Sequence, residues 1–459
     1  MKIGDFGIFE LKVTRIDAST PITLFTKEPS RPKIGWKKII KQYGYIDKKG
    51  RSALKFGITY VPCVMIGPVA RYCIQRWLKD ARTIIDPFVG SRSVLVEASM
   101  LGKKSIGIDL NPLAILLSRV KTRKLNSTQL FKLSEKLESK LSEIANSKSW
   151  SVDYPFIIPE SITNWEEWYN PVYLHQLQII RSSIDSLTER EEFREYFYVP
   201  LSELLREASY QRNGEFKRYR MAEAARSKFS INVFEAFGEK LRRNNKGYME
   251  YIKKIEEINF ENPIIRMQDS RYLDWIEDNS IDALLTSPPY GDSGTTVAYG
   301  QFSRFTLEFL DIQDKIKANQ VDNYLLGGKK SDNSLTLADI NSPTLNKTIQ
   351  IISEKDHKRG EEVLKFFIGY FETIREYSRI LKQKSKVVYI VGNRTVKGVW
   401  IETDRITKEM FANFGFQLKG IYVRGIPNKR MPSKNSPTNI TGEKVTTMVN
   451  EYIVVMERH

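Results

Sequence analysis

The sequence predicts an α/β fold, a doubly wound and mostly parallel sheet interrupted by a largely helical insertion. Three observations predict it. Residues 82–109 read as strand, tight loop, helix and strand, which is one βαβ unit. Strand-like apolar runs then stop and return only from residue 263. Between them lies a charged stretch with helical periodicity. At 459 residues the chain exceeds one minimal domain, so a core carrying a large insertion is the expected organisation.

Along the chain, residues 1–52 are read as an N-terminal extension and 53–124 as the first part of the core. RTIID (82–86) is a short apolar run, PFVGS (87–91) is its punctuation, SVLVEASMLG (93–102) is helical, and KSIGID (104–109) is a second strand ending in an acid. From Asn111 to about Ser147 the pattern continues as helix. Residues 125–262 make the insertion, mostly helical with loops. The second part of the core, 263–459, carries strand signals at PIIRM (263–267), IDALLTS (281–287), KVVYIVG (386–392), FQLKGIYVR (416–424) and EYIVVMER (451–458). That makes seven strands. The polar stretch 311–360 reads as a long loop or small subdomain.

Charge narrows the partners. Lys plus Arg number 72 against 55 Asp plus Glu, a net +17, which attracts polyanions and makes nucleic acid the leading partner. Only Cys63 and Cys73 occur, with three scattered histidines, so no zinc site of usual spacing is expected and no structural metal. The amino terminus has no cleavage-like site, and no apolar run nears the roughly 18 residues that span a bilayer. A cytoplasmic protein is expected.

Ligands of open α/β sheets sit beyond the carboxyl ends of the strands. After the first strand comes Asp86-Pro87-Phe88-Val89-Gly90-Ser91, where glycine allows close backbone approach and the next helix offers free N–H groups. After the second, Asp109 can accept hydrogen bonds from ribose hydroxyls, or can cap the helix that starts at Asn111-Pro112. After the third, Asp269 and Ser270 can contact an adenine amino group, or simply cap a helix over RYLDWI. After the fourth comes Ser287-Pro288-Pro289-Tyr290-Gly291.

DPFVGS, GIDLNP, QDS and TSPPYGD, in that order, resemble the successive motifs of the S-adenosylmethionine-dependent amino-methyltransferases of DNA. The resemblance covers roughly 53–124 and 263–459 and implies the Rossmann-like seven-stranded methyltransferase sheet. It implies S-adenosyl-L-methionine as cofactor, with Asp109 and Asp269 on its nucleoside and Gly90 and Ser91 on its methionine moiety. Asp86, Pro87, Phe88, Asn111 and Ser270 belong to the same motifs. KFGITYVP (55–62), with Tyr60, is similar to the family element that packs against the methionine end. In the catalytic element, Ser287 and the Pro288 carbonyl hold the amino hydrogens of an extruded base, Pro289 adds no competing N–H, and Tyr290 stacks on the base. The exocyclic nitrogen is conjugated with its ring and needs such acceptors to turn its lone pair toward the methyl group. Serine at the first position is similar to the cytosine-N4 subgroup, as are IVGNRTVKG (390–398) and GIPNKRMPSKNSP (425–437). The chain departs from the family where Gly-Ser-Gly is usual and Gly90-Ser91-Arg92 stands here. Arginine at a positive φ costs on the order of 1 kcal/mol, and it either crowds the cofactor carboxylate or pairs with it.

Double-stranded DNA then needs a surface outside the cleft. Residues 206–228 carry seven basic and three acidic side chains, among them Arg212, Lys217, Arg218 and Arg220. Residues 419–446 carry six basic and one acidic, with Lys429, Arg430 and Lys434 in a Pro/Asn/Ser-rich loop. A third basic segment is 327–360. The insertion is favoured by its size as the target-recognition region, and a cognate restriction endonuclease is the implied biological partner. N6-adenine methylation of DNA, N2-guanine methylation of tRNA and a non-catalytic DNA-binding role stay open as alternatives.

Overall fold

The computed structural model describes residues 65–90, 93–147, 150–158, 160–212, 217–292, 296–312, 316–328, 335–425 and 450–459, with the backbone of 33–34, 434–435 and 445–446. Tyr60, Ser91, Arg92, Lys429, Arg430, the Lys434 side chain and nearly all of 1–52 therefore lie outside the described residues.

Seven strands form the main sheet: β1 (Thr83–Asp86), β2 (Lys104–Asp109), β3 (Ile264–Met267), β4 (Ile281–Thr286), β5 (Leu381–Val391), β6 (Phe416–Gly425) and β7 (Asn450–Arg458). They lie side by side in the order β6-β7-β5-β4-β1-β2-β3, and Lys33–Ile34 add a two-residue parallel pairing outside β6. Neighbours are parallel except at β7, which runs antiparallel to both β5 and β6. The chain moves outward from β1 to β3 and then returns to place β4 beside β1. The order reverses there, so a crevice opens beyond the ends of these two strands.

The central strands read as continuous apolar runs because both faces are covered. Successive residues alternate sides. Ile84, Ala283, Leu285, Val388 and Ile390 pack in one cluster with Val69 and Ile74 of α1 (Gly67–Trp77), whereas Ile85, Leu284, Val387 and Tyr389 join a second with residues of α10 (His357–Ile380) and α11 (Thr403–Ala412). The crossover from β1 to β2 is α2 (Ser93–Ser99).

From Pro112 to Ile255 the chain is helical, in α3 (Pro112–Thr122), α4 (Ser127–Asn146), α5 (Pro171–Asp185), α6 (Glu191–Glu207) and α7 (Val233–Ile255). Asparagine begins four of them: Asn111, Asn126, Asn170 and Asn232 each accept a backbone N–H of the following turn. Proline follows directly at Pro112 and Pro171, where its missing N–H is not needed. The continuous helix expected over 111–147 is broken at Arg123–Asn126. Arg123 is extended, Asn126 caps a new helix through the Gln129 N–H (2.9 Å), and the Tyr248 hydroxyl accepts the Leu125 N–H (2.7 Å). The break is thus satisfied from α7, about 120 residues away in sequence. The insertion's core gathers Leu137, Phe193, Phe197, Phe237 and Tyr248 against Leu117 of α3 and Phe305 of α8 (Tyr299–Leu310). Trp168 and Tyr169 meet the Phe305 ring edge-on at 5.4 and 5.3 Å, so they anchor the insertion to a helix that follows Ser287–Tyr290 in the chain.

Two further expectations are corrected. The polar stretch 311–360 is not a loop throughout, because Ser342 caps α9 (Pro343–Lys355) and Asp356 caps α10. RYLDWI forms turns rather than a helix. Among the described residues no helix is long and apolar enough to cross a membrane.

Candidate active site

A cleft lies at the carboxyl ends of β1, β2, β3 and β4. Phe88, Gly90, Asp109, Asp269, Ser287 and Pro289 are among the residues on its wall, so motifs from four strand ends meet in one place.

Asp86 and Thr286 tie β1 to β4 across the switch point. The Thr286 hydroxyl donates to Asp86 Oδ1 at 2.6 Å, and the Phe88 N–H reaches the same oxygen at 3.2 Å. Asp86 is 3% exposed, and burial pushes its carboxyl up to about 7 against those two donors. Its oxygen is engaged in holding the two loops, which makes it a positioning group.

Asp109 stands at the second strand end, on the cleft wall. It is half-buried, and its carboxylate accepts the Gly90 N–H (Oδ2, 2.9 Å) and the Asn111 N–H (Oδ1, 2.9 Å). Burial raises its pKa against those bonds. Gly90 stands at φ +39°, a conformation that disfavours any side chain, and so delivers its N–H to the neighbouring strand end. A carboxylate has about four lone-pair positions, so acceptor capacity remains beside the cleft. Asn111 uses its side-chain oxygen on the Leu113 N–H (3.1 Å), as a cap.

At the third strand end, the Asp269 carboxylate is clamped by Arg271, whose Nη2 donates at 2.6 Å and whose backbone N–H donates at 2.9 Å. The Ser270 hydroxyl donates to the Pro87 carbonyl. This bond joins the loops after β1 and β3.

Ser287-Pro288-Pro289-Tyr290 begins directly after β4. Ser287 Oγ lies 3.1 Å from the Tyr290 hydroxyl, and that hydroxyl donates to Glu451 Oε1 at 3.1 Å. Glu451 is also ion-paired with Arg424. Pro288 is buried, while Ser287 and Pro289 reach the cleft wall. Gly291 follows, and a side chain there would overlap the Arg394 guanidinium, the carbon of which would lie 2.2 Å from the added Cβ. Arg394 and Arg359 both reach Asp292 Oδ2, at 3.3 and 2.9 Å. All three side chains are about nine-tenths buried, and burial lowers the Arg394 pKa. They pin the loop after Tyr290 to α10 and to a hairpin (Arg394–Val396 with Val399–Ile401) that follows β5.

Sequence reasoning missed Arg359 and Glu451, and it named Thr286 at the fourth strand end and Arg424 in the basic segment 419–446 without the contacts they make. Asp292 and Arg394 stand inside TSPPYGD and IVGNRTVKG, and the motifs alone gave neither a role.

The described basic residues divide. Arg212 and Arg220 are exposed, Arg220 pairing with Glu167, and Lys217 is half-buried. Arg218 lies differently: its guanidinium carbon is 4.2 Å from the ring centroids of both Trp168 and Phe305, so its charge is turned into the fold.

No family model matches the chain. A search of curated proteins finds Type II methyltransferase M.MvaI of Kocuria varians, 36% identical over 409 residues, 87% of this chain and 90% of that protein. The chain belongs to the type II methyltransferases. Type II methyltransferase M.MjaII of Methanocaldococcus jannaschii is 27% identical over 165 residues, 35% of this chain and 30% of that one. Among solved structures, the rRNA methyltransferase aviRa of Streptomyces viridochromogenes covers 90% of this chain and 96% of its own at 10% identity and a TM-score of 0.29. A Thermus thermophilus protein assigned as a DNA modification methylase covers 24% and 50% at 15% identity and 0.17. At these TM-scores neither likeness bears on the fold. Membership of the type II methyltransferases agrees with the coarser part of what the ordered motifs led us to expect, a methyltransferase of the DNA-modifying kind.

Proposed function

We propose that this type II methyltransferase transfers a methyl group from S-adenosyl-L-methionine to the exocyclic N4 nitrogen of cytosine in a specific double-stranded DNA sequence. The base is extruded and methylated directly, and the modification protects DNA from a cognate restriction endonuclease. One observation carries the reading. Ser287-Pro288-Pro289-Tyr290 stands at the end of β4, and its Ser287 and Pro289 reach the wall of the cleft that Asp109 and Gly90 border from β2 and β1.

The lining fits the nucleoside of the cofactor. Phe88, Leu110 and Leu113 offer apolar surface for a ring, and the half-buried Asp109 carboxylate offers acceptors for ribose hydroxyls. Asp269 already serves Arg271, so it shapes the adenine end with its backbone and with the carboxylate capacity left over. The bound cofactor supplies an electrophilic methyl group. Ser287 Oγ and the Pro288 carbonyl accept the two amino hydrogens, which favours a pyramidal nitrogen with its lone pair free. Tyr290 presents a ring to the base. Arg212, Lys217 and Arg220, on the chain segment beside α8, contact phosphates outside the cleft, with Lys429, Arg430 and Lys434.

Methyl transfer from labelled S-adenosylmethionine to mixed-sequence genomic DNA and to tRNA, followed by nucleoside identification, tests the reading. N4-methylcytosine from DNA alone is expected. N6-methyladenine would replace the base and keep the site, and label in tRNA would overturn the substrate. Ser287→Ala should lose most turnover and keep cofactor affinity; retained turnover would remove serine from its assigned role.

A further inference from the structure

Beyond the motif itself, a line of hydrogen bonds leaves the catalytic serine and ends on a buried ion pair. Ser287 Oγ meets the Tyr290 hydroxyl at 3.1 Å, the Tyr290 hydroxyl donates to Glu451 Oε1 at 3.1 Å, and Arg424 holds Glu451 Oε2. Arg424 and Glu451 sit directly opposite one another on β6 and β7, with side chains only 6% and 13% exposed, so sheet register fixes the pair. From these contacts we infer that Glu451 is a positioning residue for methyl transfer, which sets the direction of every hydroxyl between itself and the target amino group. The inference rests on the proposed role of Ser287 and Tyr290.

The polarity follows from counting protons. A carboxylate can only accept, and Arg424 can only donate to it. The single Tyr290 hydroxyl proton therefore points at Glu451. The tyrosine oxygen is left as an acceptor, and the Ser287 proton points at it. Ser287 Oγ then faces the cleft with lone pairs alone. That is the state a substrate amino hydrogen requires, because a serine proton aimed at the amino group would set donor against donor. The same tether fixes the Tyr290 ring, whose face must meet the base while its hydroxyl stays bonded at the far end.

Glu451→Gln isolates the effect, since it keeps the shape and changes the polarity. Arg424 selects the amide oxygen, so the amide NH₂ faces Tyr290 and the line reverses: Tyr290 now donates to Ser287, and the serine proton is expelled toward the substrate. The experiment uses the full chain, single-turnover methylation of DNA that the parent methylates, and separate cofactor and DNA affinities. E451Q is expected to slow transfer on the order of 100-fold, the loss set by leaving a desolvated amino hydrogen facing a donor in place of its acceptor. Cofactor and DNA affinities should stay within about twofold, because neither ligand is touched by the altered atom. Tyr290→Phe keeps the ring and frees Ser287 to rotate, so a loss of about tenfold is expected. In the double variant E451Q should have no further effect, since its route to Ser287 runs through the Tyr290 hydroxyl.

Effects that multiply in the double variant would overturn the inference, as would an E451Q rate within twofold of the parent or a parallel fall in cofactor affinity. Should E451Q fail to fold, Tyr290→Phe leaves the ion pair intact and still decides: an unchanged rate refutes the line. A parent that methylates no DNA would instead refute the proposed function beneath it, and the two failures are separate readings of one experiment.

Discussion

Thr286→Val cuts the bond across the switch point and keeps the shape of the side chain. Valine matches threonine in size and differs by the hydroxyl, and residue 286 has no exposed surface. The substitution removes the 2.6 Å bond to Asp86 Oδ1, which leaves the buried carboxyl with the weaker Phe88 N–H at 3.2 Å. Its cost depends on the charge of Asp86. Burial raises the folded pKa to about 7, above the ordinary carboxyl value, so the group's contribution to stability is full below the unfolded pKa and is lost as pH rises to about 7. Thr286 lowers that folded pKa, and its removal extends the loss to higher pH. At pH 5.5 Asp86 is protonated in the folded state, and a neutral hydrogen bond worth roughly 0.5–1.5 kcal/mol is removed. At pH 8.5 the carboxylate is ionised, and the loss is roughly 1.5–3 kcal/mol. Urea unfolding of parent and variant at both pH values measures the difference, and other titrating groups cancel in the comparison. A ΔΔG equal at the two pH values, or smaller at 8.5, would refute the assignment of Asp86 as a buried acid restrained by Thr286.

Gly107→Val should destabilise the first βαβ unit, because a Cβ there would lie 2.6 Å from Leu95 Cδ1 and 2.9 Å from Val89 Cγ2. Overpacking of this kind costs roughly 1–3 kcal/mol, and since Val89 precedes Gly90 the variant should also bind S-adenosylmethionine more weakly by calorimetry. Arg212→Ala with Arg220→Ala should weaken DNA binding about equally across sequences and flatten the plot of log affinity against log salt by about 0.9 for each phosphate no longer neutralised. An unchanged slope would take this segment out of the interface.

The seven strands and the four loaded strand ends were legible because each is local. A buried parallel strand must be apolar over a few consecutive residues, and Ser-Pro-Pro-Tyr is contiguous. The site's connections were not legible. Thr286 meets Asp86 across 200 residues, Arg359 meets Asp292 across 67, and Tyr290 meets Glu451 across 161. Glu451 looked like an ordinary polar strand residue, and Arg218 like any surface arginine of a basic segment.

By itself, then, the sequence determined an α/β sheet with a helical insertion, the order of its motifs and the chemistry of the residues that follow β1, β2 and β4. Tertiary structure alone decided which of those residues still face the cleft and which are occupied in holding it. Asp86, Asn111 and Ser270 bond to the protein, Asp109 keeps acceptor capacity beside the cleft, and Glu451 reaches Ser287 through Tyr290. The physical reason is that a hydrogen bond depends on a few tenths of an ångström between groups brought together by strand order, and strand order is fixed by the burial of the whole sheet rather than by any one segment.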